Sequence, residues 1–457
     1  MEDLAGNILL TIGVFTGVIF FFMILFLGDI VFGFVIWLVG AIFVGRQIFS
    51  ISIPGFPDIY LERILFALLF IVFFADVIRR KETLLPNTRI EYTMVLIIAI
   101  LLFSMGQTGF LARTGDQFQP FHIFLTGFFF PFTFYYFGKT VLNTDERIKF
   151  LLWSLFIIFF YLVLTAFLEH FKLTQFIFPR YIYDPLYGIH FGRARGPFGN
   201  APLNGWVMGT LFCLTLYLRT QTVNPLSKGI LLIPLCMAPL AIFYTYTRAV
   251  WLSFLLVIFF LAFSSDRLLA GKRYFVFPII FVILLIFLNW ENIGGKEREM
   301  GGVMQLSEIQ ARENLFNVTV AIFKDAPLFG VGFGRFDRVL PFYSTEVFGT
   351  AVQLASQHNI FFSLLSEVGL IGLIPFVLIL YYLIRFSIRL YKNLGDEEGF
   401  FSRDLVVTFW GIMLIYLVNA LFIQTQFFIE ANSLVFLWAG IIVGFWQRQE
   451  ELSTHIG

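Results

Sequence analysis

Long apolar runs separated by short polar breaks repeat along almost the whole chain. Runs of roughly 17 to 25 such residues are long enough to cross a hydrocarbon core of about 30 Å as helices. The pattern predicts spans at 7–27, 30–48, 60–78, 91–108, 120–142, 147–168, 201–219, 228–246, 248–265, 274–290, 359–384, 404–424 and 428–447. The expected fold is an all-α polytopic membrane protein of about 12–13 transmembrane helices, one transmembrane domain over 1–457. The second span is the least regular. Gly28-Asp29 joins it tightly to the first and Arg46 falls near its end, so a short, re-entrant or merged helix is expected there. Met1-Glu2-Asp3 lacks the positive segment and small-residue cleavage site of a secretory signal, so the first span is expected to be retained.

Two polar stretches break the pattern, a smaller loop at 169–200 and a large one at 291–357. Connections between elements are mostly short, and long ones tend to be functional. The larger loop, which ends at Gln357-His358-Asn359, is therefore the first place to look for chemistry.

Of the 457 residues 59% are hydrophobic and 13% charged, against about 25% charged in an ordinary soluble domain. Net charge is +1, which supplies no global field, and no nucleic-acid partner is expected. Cys213 and Cys236 sit inside apolar runs and are expected to behave as small hydrophobes. The 64 phenylalanines are spread through the spans and read as core filler and lipid-facing surface.

The placement of basic residues fixes an orientation, because cytoplasmic loops carry an excess of lysine and arginine. Arg79, Arg80, Lys81 and Arg89, then Arg147, Lys149, Arg219, Lys228, Arg267, Lys272, Arg273, Arg385, Arg389, Lys392 and Arg403, all fall on one side when the spans alternate. The loops at 169–200 and 291–357 and the turn at Tyr246–Arg248 fall on the other. In a bacterial inner membrane that other side faces the periplasm, where nucleotide cofactors are absent. Chemistry there needs a donor activated beforehand, and a lipid-linked pyrophosphate satisfies the need.

Arginines on the outer side run against the charge trend. Arg193 and Arg195 occur in FGRARGPFGNAPLNG, Arg248 in TYTRAVWL, and Arg312 in ARENLFNVTVAIFKDAPLFGVGFGRF. Arg248 opens an apolar helix, and an arginine at that depth is costly unless it is paired or faces a wet cavity; snorkelling to the interface is the plain alternative. Arg312 is predicted on an amphipathic helix at 310–324, with Leu315, Phe316, Thr319, Val320 and Phe323 on its apolar face and Pro327 beyond its end. Such an arginine on its own is usually part of a solvated face. Gly330, Gly332 and Gly334 lack the strand context of a dinucleotide fingerprint and are expected to form a tight backbone passage. His358, flanked by Gln357 and Asn359 with Glu367 two turns deeper, is placed to take a proton near neutral pH. No HExxH and no carboxylate cluster with ligand spacing occurs in the outer loops, so no metal site and no cofactor are expected.

TYTRAVWL, RENLFNVTVAIFKDAPLFGVGFGRF and QHNIFFSLLSEVGLIGLIPF, in this order around one large outer loop, resemble the O-antigen ligase and polymerase family of bacterial envelope glycosyltransferases. GRARGPFGNAPLNG is similar to that family's upstream arginine-glycine segment, and the resemblance runs over roughly 190–385. It implies a GT-C-like enzyme that moves a glycan from undecaprenyl pyrophosphate to an acceptor hydroxyl, without a metal and with inversion. It also implies that Arg248, Arg312 and His358 are the catalytic residues. Arg193, Arg195, Gln357 and Asn359 are further candidates for holding substrate. Ligation to a lipid A-core acceptor is the preferred expectation; polymerisation of lipid-linked repeat units is the alternative. A transporter or flippase for a lipid-linked sugar is a reading of a different class, disfavoured because the chain shows no internal repeat.

Overall fold

The computed structural model describes residues 29–44, 49–51, 57–79, 82, 84–112, 119–265, 267–269, 306–349, 359–395 and 399–456. The predicted spans 7–27 and 274–290 lie outside these residues, as do Gln357 and His358.

Helices occupy the apolar runs. They are α1 Ile30–Phe43, α2 Leu61–Ile78, α3 Arg89–Thr108, and α4 Pro120–Phe124, which continues through a π-helical turn at Leu125–Phe129 into α5 Phe130–Thr140. There follow α6 Asp145–His170, α7 Ala201–Gln221, α8 Pro225–Phe243 and α9 Arg248–Ser264. The large loop contributes α10 Leu306–Asp325 and α11 Phe336–Phe348, and the chain ends with α12 Ile360–Glu367, α13 Gly369–Asn393, α14 Arg403–Phe422 and α15 Ile429–Ile456. A two-residue strand pair, β1 Ser50–Ile51 against β2 Ile59–Tyr60, sets Ser50 opposite Tyr60 between α1 and α2. Starts are marked by side-chain caps: Asp29 on α1, a Thr88–Glu91 capping box on α3, Asn200 on α7 and Asn224 on α8.

Among the described residues seven helices are long and apolar enough to cross a membrane: α3, α6, α7, α8, α13, α14 and the Ile429–Glu450 part of α15. The other predicted spans in this region are helical but shorter or more polar. With 14 residues, α1 is the short helix that the tight junction at Gly28-Asp29 suggests. The 17 residues of α9 reach about 25 Å. At 18 residues α2 is long enough, but it carries Glu62, Arg63 and Asp76.

The predicted span 359–384 is not one helix. It breaks at Val368-Gly369, where Gly369 has φ +68 and a Cβ would collide with the backbone at Leu328. The chain from the large loop is sewn into the break: Val331 N donates to Ser366 O at 2.9 Å, Gly332 N to Glu367 O at 2.8 Å, Leu370 N to Pro327 O at 3.0 Å and Ile371 N to Leu328 O at 3.2 Å. Carbonyls and amides that a helix break would leave open are thus paired from outside the helix.

The core is built on close helix approach and aromatic packing. Where α5 crosses α15, a Cβ on Gly138, Gly440 or Gly444 would run into facing backbone, so small residues let the two helices touch. Phe34, Trp37, Phe66, Phe130 and Phe134 pack beside them, with Phe66 and Phe130 rings 3.9 Å apart. Other phenylalanines, such as Phe103 and Phe263, are exposed on helix sides, as expected of a lipid-facing surface.

Each end of the bundle is tied by its own contacts. At one, Lys139 and Glu91 pair at 2.5 Å with both side chains 1% exposed, Arg147 bridges Asp29 and Glu82 at 2.8 and 2.7 Å, and Ser265 donates to Asp404 at 2.6 Å. Arg89, Lys149, Arg219, Lys228, Arg385, Arg389 and Arg403 belong to the helix ends gathered there. The opposite end receives the loop after α6, the turn before α9 and the large loop, which is the division that the basic residues predict.

Candidate functional site

The site takes shape around the end of α14. Asn419 Nδ2 donates to Ser253 Oγ of α9 at 3.1 Å, which holds the start of α9, and with it Arg248, level with the last turn of α14. One turn on, Leu421 O accepts from Asn359 Nδ2 at 3.1 Å. The next residue, Phe422, carries the Arg312 guanidinium over its ring at 5.7 Å. Arg248, Arg312 and Asn359 are thus brought to one end of the bundle by α14, and His358 is the residue joined directly to Asn359.

Asn359 does two jobs at once. Its Oδ1 accepts from Phe361 N at 2.8 Å and Phe362 N at 3.1 Å, which caps α12, while Nδ2 makes the tie to α14. The side chain is only 8% exposed, so its chemistry is spent on fixing the helix start rather than on reaching outward.

Arg312 is exposed on α10. The buried face of that helix is Leu315, Val318, Thr319 and Ile322, with Phe316 46% exposed, so the apolar stripe lies about one residue round from the predicted one. Leu315, Val318 and Ile322 form a small second core with Phe336, Leu340 and Tyr343 of α11. The hydrophobic pattern does not predict α11; its interior Pro341 argues against a helix, while the spacing of 336, 340 and 343 is the signal that argues for one. Phe316 reaches Phe362 of α12 instead, ring centroids 5.5 Å apart.

The loop after α6 packs onto the turn that precedes Arg248. Ala194 N donates to Tyr244 O at 3.0 Å and Asn204 Nδ2 to Ala194 O at 3.1 Å. Tyr244 in turn stacks on His170 with centroids 3.7 Å apart and planes 4° from parallel. Arg193 and Arg195 flank Ala194 and are both buried, at 8% and 1% exposed. Arg195 holds the loop together: its guanidinium donates to Ile182 O at 2.9 Å, to Asp184 O at 2.5 Å and to Tyr187 O, and it lies over the Phe191 ring at 4.9 Å. Burial pulls its pKa below the usual arginine range, and Glu169, Tyr187 and Asp184 pull it back.

The glycine run is the tight passage expected of it. Gly332, at φ +107, has no room for a Cβ against Thr108 of α3, and Gly334 has none against Pro120 of α4. Phe333 N donates to Ser104 Oγ at 2.9 Å and Arg335 to Thr108 O at 3.4 Å, which lays the large loop on the ends of α3 and α4.

Two polar groups at this end are not announced by any motif. Gln426, between α14 and α15, donates to Ser363 of α12 at 2.8 Å while its carbonyl accepts from Thr126 in the π-helical turn at 2.8 Å, and all three are buried. The signal for it is the polar Gln424-Thr425-Gln426 set between two apolar runs. His122, at 3% exposed, lies against the Arg63 guanidinium and has the Tyr60 ring 5.8 Å away, company that its position at a span end does not reveal.

The result is a bundle with seven candidate membrane spans among the described residues, its candidate residues at one end around a loop sewn into a broken helix. The O-antigen ligase family model matches residues 232–377, about a third of the chain, so this segment is similar to that family. That segment runs from α8 through the large loop into α13 and contains Arg248, Arg312, His358 and Asn359. No curated protein matches the chain. The match supports, at a coarse level, an O-antigen ligase- or polymerase-type activity.

Proposed function

We propose that the protein is an inverting, metal-independent glycosyltransferase that takes a glycan from undecaprenyl pyrophosphate and joins it to a sugar hydroxyl of lipid A-core at the periplasmic face of the bacterial inner membrane. The observation that carries this reading is that Asn359, Arg312 and, through Ser253, the helix opened by Arg248 all contact the C-terminal end of α14. The acceptor oxygen attacks the anomeric carbon from the face opposite the pyrophosphate as the bond from that carbon to the phosphate oxygen breaks. His358 takes the hydroxyl proton, and undecaprenyl pyrophosphate leaves with the bonding electrons. Arg248 and Arg312 neutralise the charge growing on the departing oxygens, a task suited to planar, multidentate donors. Asn359 fixes the start of α12 and so the reach of His358. Arg193, at the turn before Arg248, and Gln357 are assigned to the donor, while Arg195 shapes the loop that presents Arg193.

The test is purified protein with the lipid-linked glycan and a lipid A-core acceptor. Transfer to core lipid is expected, with His358→Ala and Arg248→Ala each lowering the rate about 10²-fold or more while the protein still inserts and purifies. A ladder of longer lipid-linked chains from the donor alone identifies a polymerase instead. Unchanged turnover in both variants removes the site assignment.

A further inference from the structure

At the end of the bundle away from the proposed active site, a cavity of about 600 Å³ opens between the start of α3, the end of α13 and α15. Its wall carries three arginines, Arg89, Arg385 and Arg389, against one carboxylate, Glu450. We propose that this cavity holds the phosphate headgroup of an anionic glycerophospholipid.

Two of the arginines lie against ring faces. Arg385 lies 6.0 Å from the Tyr381 ring centroid with Nη1 3.5 Å from the Tyr381 hydroxyl, and Arg389 lies 5.9 Å from the Phe386 centroid. Such contacts orient a guanidinium while leaving most of its five donors for an anion. The nearest carboxylate on α3, Glu91, is committed elsewhere, to Lys139, Tyr135 and the Thr88 cap. Among the described residues that line the cavity, Glu450 is therefore the one carboxylate set against three arginines.

What selects a lipid over a soluble phosphate is the surface next to the cavity. One turn along α3 from Tyr92, which lines it, Leu96 is 51% exposed; one turn along α13 from Tyr382, also in the lining, Leu378 is 36% exposed. Val95, Phe103, Ile374 and Val377 continue this exposed apolar side towards the middle of the two spans. A headgroup in the arginine cavity would leave its acyl chains on that side, where hydrocarbon belongs. The bundle end concerned also carries the basic excess that marks the cytoplasmic leaflet, whose anionic lipids favour basic pockets between helices.

The experiment is native mass spectrometry of the full chain released from detergent micelles after adding phosphatidylglycerol, phosphatidylcholine or inorganic phosphate. Phosphatidylglycerol is expected to be retained in preference to phosphatidylcholine. Retention is expected to fall roughly fivefold with each of Arg385→Gln and Arg389→Gln, and to be unchanged by Arg219→Gln, at the same end but outside the cavity. Equal retention of the two lipids, unchanged retention in the Arg385→Gln/Arg389→Gln double variant, or inorganic phosphate held as firmly as phosphatidylglycerol each overturns the proposal. The comparison of lipids on the unsubstituted chain decides the matter even where the double variant does not fold.

Discussion

Asn359 shows how one side chain can hold two elements together. Its oxygen caps α12 and its amide nitrogen ties that cap to Leu421, so two separable functions sit on two ends of one group. Asn359→Asp keeps an acceptor for the cap but has no donor for Leu421 O; Asn359→Ala loses both. Removing a cap costs about 1 kcal/mol, so the alanine variant should melt at a lower temperature in detergent than the aspartate one. Both should transfer glycan more slowly, because both release the segment that carries His358. If the aspartate variant transfers at the full rate, the tie to α14 has no part in positioning. The arginines divide in a similar way. Arg193 and Arg195 are two residues apart and look equivalent in the sequence, yet Arg195 spends its donors on three carbonyls of its own loop. Both are buried, and no local pattern displays that Arg195 is the one that ties these carbonyls together.

Among elements, the passage through Gly330, Gly332 and Gly334 is the least forgiving. Gly332→Ala adds a Cβ into the Thr108 side chain at a φ of +107, a conformation that costs a residue with a side chain about 1–3 kcal/mol before any collision. The expected result is a clear drop in thermal stability in detergent, and a melting temperature within a degree of the parent would contradict the packing described. Hydrophobic periodicity makes most helices legible, with their ends close to the caps, because a span must pair its backbone internally and its length follows from the bilayer. It conceals the break at Val368-Gly369, since residues 359–384 are long and apolar enough on average to read as one span, and the partners of the break lie in the loop at 327–332, more than thirty residues earlier. The π-helical turn at Leu125–Phe129 is hidden for a like reason: its partner, Gln426, sits at the other end of the chain. Of the candidate site, the three arginine-bearing segments and the histidine are visible as motifs, while the contacts of Asn359, Arg312 and Ser253 with α14 are not, for Asn419, Leu421 and Phe422 read as an ordinary helix end.

For the whole molecule the decisive quantity is sidedness, since a periplasmic active site requires the two bundle ends to face different compartments. Thr345 on α11 and Val223 between α7 and α8 are exposed at opposite ends. In a Cys236→Ser background, with Cys213 buried and silent, Thr345→Cys should react in intact cells with a thiol reagent that cannot cross the inner membrane. Val223→Cys should react only after the membrane is opened. The reverse pattern would place the arginine-rich loop ends outside and deny the enzyme its lipid-linked donor on the expected face.

The four bonds that sew 327–332 into the helix break are made by main-chain groups on both sides. Bonding therefore sets no rule on which side chain stands at Val331, Leu370 or Ile371, but it does forbid proline, which has no N–H to give. A saturation library scored for transfer should show these three positions accepting many replacements and rejecting proline, beside glycines that accept almost nothing. Such alternation between permissive and closed positions would be the mark of a joint made from backbone, and it is the kind of constraint that leaves a sequence free to drift while its geometry stays put.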